Sequence, residues 1–129
     1  MDFKFEILKE QNLLIQQRSG LYTIKALMET VQQCQTHPDY SDKLGMLSDF
    51  RKVSFNFDIK IFEDFIKRYS ETNYLKAKFA IIVENPENTA LATIWEYTIK
   101  QQYVKLFSTV KGACNWLNVD YSIVKEYFD

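Results

Sequence analysis

The chain has 129 residues, 47% hydrophobic and 16% aromatic, with 16 Lys and Arg against 17 Asp and Glu for a formal charge of −1. That length suits one domain, the apolar content excludes disorder, and the missing basic excess excludes a nucleic-acid partner. Three glycines and two prolines are too few for a glycine-rich phosphate cradle.

Residues 1–129 are therefore expected to form a single domain. The start, Met1-Asp2-Phe3-Lys4-Phe5-Glu6, alternates charged and apolar residues, unlike a signal peptide. The longest strictly apolar run, Phe79 to Val83, falls far short of the roughly 20 residues that span a bilayer. Cys34 and Cys114 are widely separated and lack a CxxC partner, so both are expected as small apolar helix residues in a reducing cytoplasm.

In chain order, Phe3, Phe5 and Ile7 alternate with Lys4 and Glu6, the period of a half-buried strand. A second strand, Leu13 to Arg18, follows a short polar break, so the two predict an antiparallel hairpin closed at Ser19-Gly20. Ile24, Leu27, Met28, Val31 and Cys34 then line one side of a helix, which His37-Pro38 stops. Leu44 to Phe50 is a third strand. Asp58 caps a second helix with the stripe Ile59, Phe62, Phe65, Ile66 and Tyr69.

Ala77 to Val83 is apolar on both alternations, as in a strand covered on both faces, with Lys76 and Lys78 as edge charges at its start. Asn85 to Asn88 is a turn, with Asn88 capping a third helix that carries Leu91, Ile94, Trp95 and Thr98. Tyr103 to Phe107 is the last strand, and Thr109 caps a fourth helix bearing Val110, Ala113, Cys114 and Leu117. The order is β-β-α-β-α-β-α-β-α, an α/β fold with a mixed, mainly parallel five-stranded sheet and four helices. The apolar tail Tyr121, Ile123, Val124, Tyr127 and Phe128 docks on its own domain by default, with a homodimer as the alternative.

His37-Pro38-Asp39, then Met46-Leu47-Ser48-Asp49-Phe50-Arg51, the apolar Ala80-Ile81-Ile82-Val83 and a closing Ala113-x-x-Trp116-Leu117 resemble the STAS/CRAL-TRIO-like small bacterial proteins, relatives of the anti-sigma-factor antagonists. The likeness covers roughly residues 12–118 and leaves 119–129 as a C-terminal tail. The resemblance implies a STAS-like bacterial cytoplasmic domain that binds a protein partner. In the antagonists a serine after the Asp-bearing strand is phosphorylated in an Asp-Ser-Ser-Gly-like setting. Here Ser54 is a positional stand-in without the paired serine or the glycine.

Asp49, Arg51 and Ser54 fall at the carboxyl end of a predicted parallel strand, where open α/β sheets place their ligands. Asp49 and Arg51, two apart, point to one face and are suited to orient a charged group; alternatively they satisfy loop amides and a neighbouring carboxylate. His37 is the single histidine, so a multi-histidine metal site is excluded and a solvated loop residue expected. Cys34 and His37 lack an orienting third group for nucleophilic catalysis. Glu63 pairs with Lys67 along a helix rather than serving as an acid–base carboxylate. No cofactor is implied.

Phe50, Phe55, Phe57, Phe62 and Phe65 crowd around the second helix, as core or as an apolar recognition surface. The expected function is a non-catalytic binding module for a protein partner, with Asp49, Arg51, Ser54, Phe55, Phe57 and Phe62 as candidate contacts. The alternative is a carrier or sensor of a small apolar or amphipathic ligand held between the second helix and the sheet, or of a peripheral membrane surface. An enzyme is supported only by generic polar residues.

Overall fold

A computed structural model describes residues 2–72, 77–98 and 103–128, with the side chains of 70–72 and 98 left aside. Five strands form one sheet in sequence order: β1 (Asp2–Leu8), β2 (Leu13–Tyr22), β3 (Gly45–Phe55), β4 (Phe79–Ile82) and β5 (Val104–Phe107). β1 pairs antiparallel with β2 and the remaining pairs are parallel. The hairpin and mainly parallel sheet thus match the sequence pattern.

The helices are α1 (Ile24–Gln35), α2 (Ile59–Thr72), α3 (Pro86–Thr98), α4 (Val110–Leu117) and α5 (Tyr121–Val124). Among the described residues they number five, where the sequence pattern predicts four. Asp120 caps the extra turn by accepting from the Ser122 amide at 2.9 Å, and Val124 is fully buried beneath it. The tail thus docks on its own domain.

From β2 to β5 the chain steps one strand sideways each time in the same direction, and right-handed crossovers then place α1, α2 and α3 on one face. Leu14, Met46, Phe79, Ile81 and Val104 pack under these helices with Leu27, Phe62, Phe65, Ile66 and Trp95. The opposite face, Leu13, Ile15, Leu47, Ala80 and Ile82, is covered by Val110, Ala113, Cys114 and Val124. β4 is consequently buried along its whole length, as its unbroken apolar run requires. Lys78, read as an edge charge, donates to the Trp116 carbonyl at 2.9 Å and lies over its ring, tying the start of β4 to α4. Lys76 lies outside the described residues.

β4 is shorter than the expected Ala77 to Val83, and β3 and β5 each start one residue later than the pattern gives; three further boundaries differ for a local reason. β2 does not close at Ser19-Gly20 but continues to Tyr22, because Gly20 adopts φ 96° inside the ladder, which a residue with a Cβ resists. β3 runs past Phe50 to Phe55, pairing Lys52 to Phe55 with Ser19 to Tyr22. Asn85, not Asn88, caps α3: its Oδ1 accepts from the Asn88 amide at 2.8 Å, and Pro86 takes the first helical position. Asp58 and Thr109 cap α2 and α4 as their positions suggest, accepting from Ile61 at 2.8 Å and Gly112 at 3.0 Å.

Between Gln17↔Asp49 and Ser19↔Lys52 the ladder advances two residues on β2 and three on β3. β3 therefore carries one extra residue, a bulge opposite Arg18. The bulge switches side-chain parity, so Phe50 and Phe55 both pack toward the α1–α3 core although they are five positions apart, which would put them on opposite faces of a regular strand.

Candidate functional site

Asp49 and Arg51 share the face opposite Phe50, as their spacing predicts. The Arg51 guanidinium grips the carboxylate in a two-pronged pair, Nε to Oδ1 at 2.9 Å and Nη2 to Oδ2 at 2.8 Å, and the Arg51 amide adds a third bond at 3.0 Å. This grip and the nearby Glu84 raise the Arg51 pKa, against the effect of burial. The pair lines a cleft of about 430 Å³ with Asp2, Lys4, Gln17 and Glu84. Ser54 does not line it: it is exposed on β3 opposite Leu21. The serine and the charged pair are thus separate features.

The phenylalanines are distributed through the core and its margin. Phe62 is 4% exposed and Phe65 is buried beside it, while Phe50, Phe55 and Phe57 are half-buried against the same cluster. Phe57 stacks on Phe62 with centroids 5.5 Å apart, and Phe55 lies 4.8 Å from Phe57. The space bounded by Phe50, Phe55, Phe62 and Trp95 amounts to about 20 Å³, which leaves no room for a ligand between α2 and the sheet.

Apolar surface lies elsewhere. Met28 and Ile61 are 46% and 47% exposed and line a groove of about 460 Å³ between α1 and α2, with Ile24, Val31 and Phe65 among its walls. Of the apolar stripe expected to face the core, Leu27 and Cys34 are buried and Ile24 and Val31 pack against the cluster, but Met28 is left outside and Thr30 is buried in addition. The helix is turned by a polar chain on the inner face of β2. Arg18 donates to Thr30 Oγ1 from Nε at 3.1 Å and from Nη2 at 2.9 Å, and Gln16 Nε2 donates to Cys34 Sγ at 3.4 Å. Arg18 Nη1 also donates to Gln16 Oε1 at 3.2 Å, and the Ser48 hydroxyl donates to the same oxygen.

Sequence reasoning missed Arg18. The available signal was that Leu14, Gln16 and Arg18 share one strand face, which a crossover helix must cover. His37 is a loop residue, accepting from the Asp39 amide at 3.0 Å and edge-on to Phe5. Among the described residues no group of three or more His, Cys, Asp and Glu is placed to hold a metal, and no helix is long and apolar enough to cross a membrane.

Burial also sets a pH dependence. It raises the Cys114 thiol from the ordinary 9.0 to about 11, and raises Cys34, Tyr22, Tyr40 and Tyr69 as well. Each such acid ionises more easily unfolded than folded. The stability from Cys114 is therefore complete below pH 9 and lost as pH rises toward 11. Burial acts oppositely on Arg18, lowering its guanidinium to about 10, so its stabilising loss of a proton sets in around the middle of that range and opposes the later part of the decline. Stability is expected to fall between pH 9 and 10 in urea titrations. Cys114→Ala should flatten the decline.

A parallel sheet in sequential order, entered by an antiparallel hairpin and backed by three crossover helices, is the STAS-like arrangement, also called SpoIIAA-like. A crystal structure of an uncharacterised protein of the DUF3478 family with a SpoIIAA-like fold, from Shewanella loihica PV-4, superposes with a TM-score of 0.61. The match covers 89% of this chain and 93% of that one at 16% identity, and so establishes a shared fold. No family model matches the sequence, and no curated protein matches it.

Proposed function

We propose that this STAS-like domain is a non-catalytic binding module that takes an apolar segment of a protein partner into the groove between α1 and α2. The observation that carries this reading is the inversion of the two apolar features. The phenylalanine cluster is packed, whereas Met28 and Ile61 stand outside on a groove of about 460 Å³. Flexible methionine beside branched aliphatic residues suits an adaptable contact surface. Asp64, Arg68, Gln32 and Gln35 border the groove and supply polar groups at its margin. The closed Asp49–Arg51 pair acts on this reading as structure rather than chemistry.

The double variant Met28→Glu/Ile61→Glu is expected to keep its unfolding free energy within about 0.5 kcal/mol, as exposed positions do. Its affinity for a partner isolated with the parent protein should fall by roughly 30-fold or more. Calorimetric titration of parent and variant with that partner is the measurement; equal affinities would move the surface away from the groove. The volume also lies within the range of small-molecule sites, so an amphipathic ligand is the second reading. A stoichiometric small molecule in native mass spectra of the parent, lost in the variant, would favour it over a protein segment.

A further inference from the structure

We propose that the outer edge of β1 is a self-association surface, at which a second copy of this chain pairs its own β1 antiparallel about a two-fold axis through Phe5. The sheet ends at β1, whose one ladder among the described residues is with β2. The Tyr22 hydroxyl donates to the Asp2 carbonyl. From Phe3 to Ile7 the outward N–H and C=O groups meet no partner among the described residues. β1 lacks the usual protections of an edge: it is seven residues long, contains no Pro or Gly, and keeps an unbroken register from Asp2↔Ser19 to Leu8↔Leu13. The opposite edge, β5, is only four residues long.

The side chains of β1 are self-complementary in one register. Asp2, Lys4 and Glu6 are exposed on one face, and Phe3, Phe5 and Ile7 are half-buried on the face of the α1–α3 core. Pairing about Phe5 uses the whole strand, with Asp2 opposite Leu8 of the second copy. It sets Lys4 opposite Glu6 of the second copy and, by symmetry, Glu6 opposite Lys4. On the other face Phe5 meets Phe5, and Phe3 meets Ile7. Moving the axis to Lys4 opposes Lys4 to Lys4 and Asp2 to Glu6, and moving it to Glu6 opposes Glu6 to Glu6. A slip of one residue opposes charged to apolar side chains. The alternating charges thus select the axis at Phe5 and repel its neighbours.

Within its own sheet Lys4 faces Gln17 and Glu6 faces Ile15, so neither charge is matched across the ladder. The tail residues Glu126 and Tyr127 border that face across a hollow of about 170 Å³ and leave Lys4 and Glu6 exposed. The apolar side is held in place before any pairing. Phe3 and Phe5 stack with centroids 5.7 Å apart, the Arg18 guanidinium lies 4.8 Å from the Phe3 centroid, and His37 meets Phe5 edge-on at 5.8 Å. Rings fixed in this way lose little freedom when a second copy covers them. Seven residues a side is fewer than the roughly 20–30 of a standard interface, so the dimer is expected to be weak, with a Kd on the order of 10–100 μM.

Sedimentation velocity of the full chain at low salt, from about 1 μM to about 1 mM, is the test. The parent should pass from monomer to dimer across that range. Lys4→Glu and Glu6→Lys each set two like-charge contacts across the axis, and each should raise the dimer Kd about tenfold or more. An equimolar mixture of these two variants should associate as the parent does, because every charge then meets its opposite. The double variant Lys4→Glu/Glu6→Lys should also dimerise like the parent. Both positions are exposed, so Tm should stay within a few degrees and the loss of dimer is separable from unfolding. A parent that stays monomeric throughout would overturn the proposal. So would single variants that dimerise as the parent does, which would place the contact on another surface, or a mixture that associates no better than either variant alone.

Discussion

Truncating Phe62 to alanine is expected to destabilise the domain by about 3–5 kcal/mol, the cost of deleting a buried aromatic ring. Phe62 is 4% exposed and its ring meets Phe55, Phe57, Phe65 and Trp95, with centroid separations from 5.5 to 6.4 Å. The hole would open onto the neighbouring space of about 20 Å³ and enlarge it. Collapse is resisted from three sides, by α2, α3 and the sheet, so the cavity penalty should persist. For a domain held by roughly 5–15 kcal/mol, such a loss unfolds a measurable fraction near room temperature. Phe62→Leu retains most of the volume and should cost under about 1.5 kcal/mol. Urea unfolding of both variants is the check. A loss below about 1 kcal/mol for the alanine variant would count against Phe62 as core and return it to the recognition surface.

The sequence made the element order readable because each strand and helix carries its own period. Phe3, Phe5 and Ile7 alternate on β1, while β4 is apolar without alternation, and both patterns correspond to observed burial. The caps at Asp58 and Thr109 were legible for the same reason, since a short oxygen-bearing side chain before an apolar stripe has a local task. Features that depend on two distant segments were not legible. The bulge opposite Arg18 exists only in the register between β2 and β3. The rotation of α1 follows from Thr30 and Cys34 meeting Arg18 and Gln16, so the apolar stripe alone misplaced Met28. Hence the candidate contacts moved: the phenylalanines were the conspicuous apolar residues, but tertiary packing absorbs them and leaves the groove outside.

Asn88→Ala is expected to cost about 2–4 kcal/mol, because one side chain serves two backbone carbonyls that have lost their strand neighbour. β3 continues to Phe55, whereas its ladder with β4 ends at Asp49↔Ile82. Beyond that point Asn88 Nδ2 donates to the carbonyls of Phe50 and Val53, at 2.8 Å each, spanning the bulge from the first turn of α3. Both amide protons are therefore committed, and Oδ1 is buried without a partner among the described residues. The reversed amide orientation would set oxygen against two carbonyl oxygens, which fixes the assignment. Asn88→Asp, nearly the same shape, cannot donate when ionised and should be the worse variant, with its carboxyl pKa pushed upward by burial and by the facing carbonyls. Its stability should accordingly improve as pH falls through that raised value, whereas Asn88→Ala shows no such recovery. Hydrogen exchange at residues 50–55 should accelerate in both variants if Asn88 pins the bulge, and the Phe50 ring that covers Arg18 should loosen with it. Wild-type exchange throughout that segment, together with a loss under about 0.5 kcal/mol, would show that the carbonyls find other donors and that the bulge is held by the β2 ladder alone.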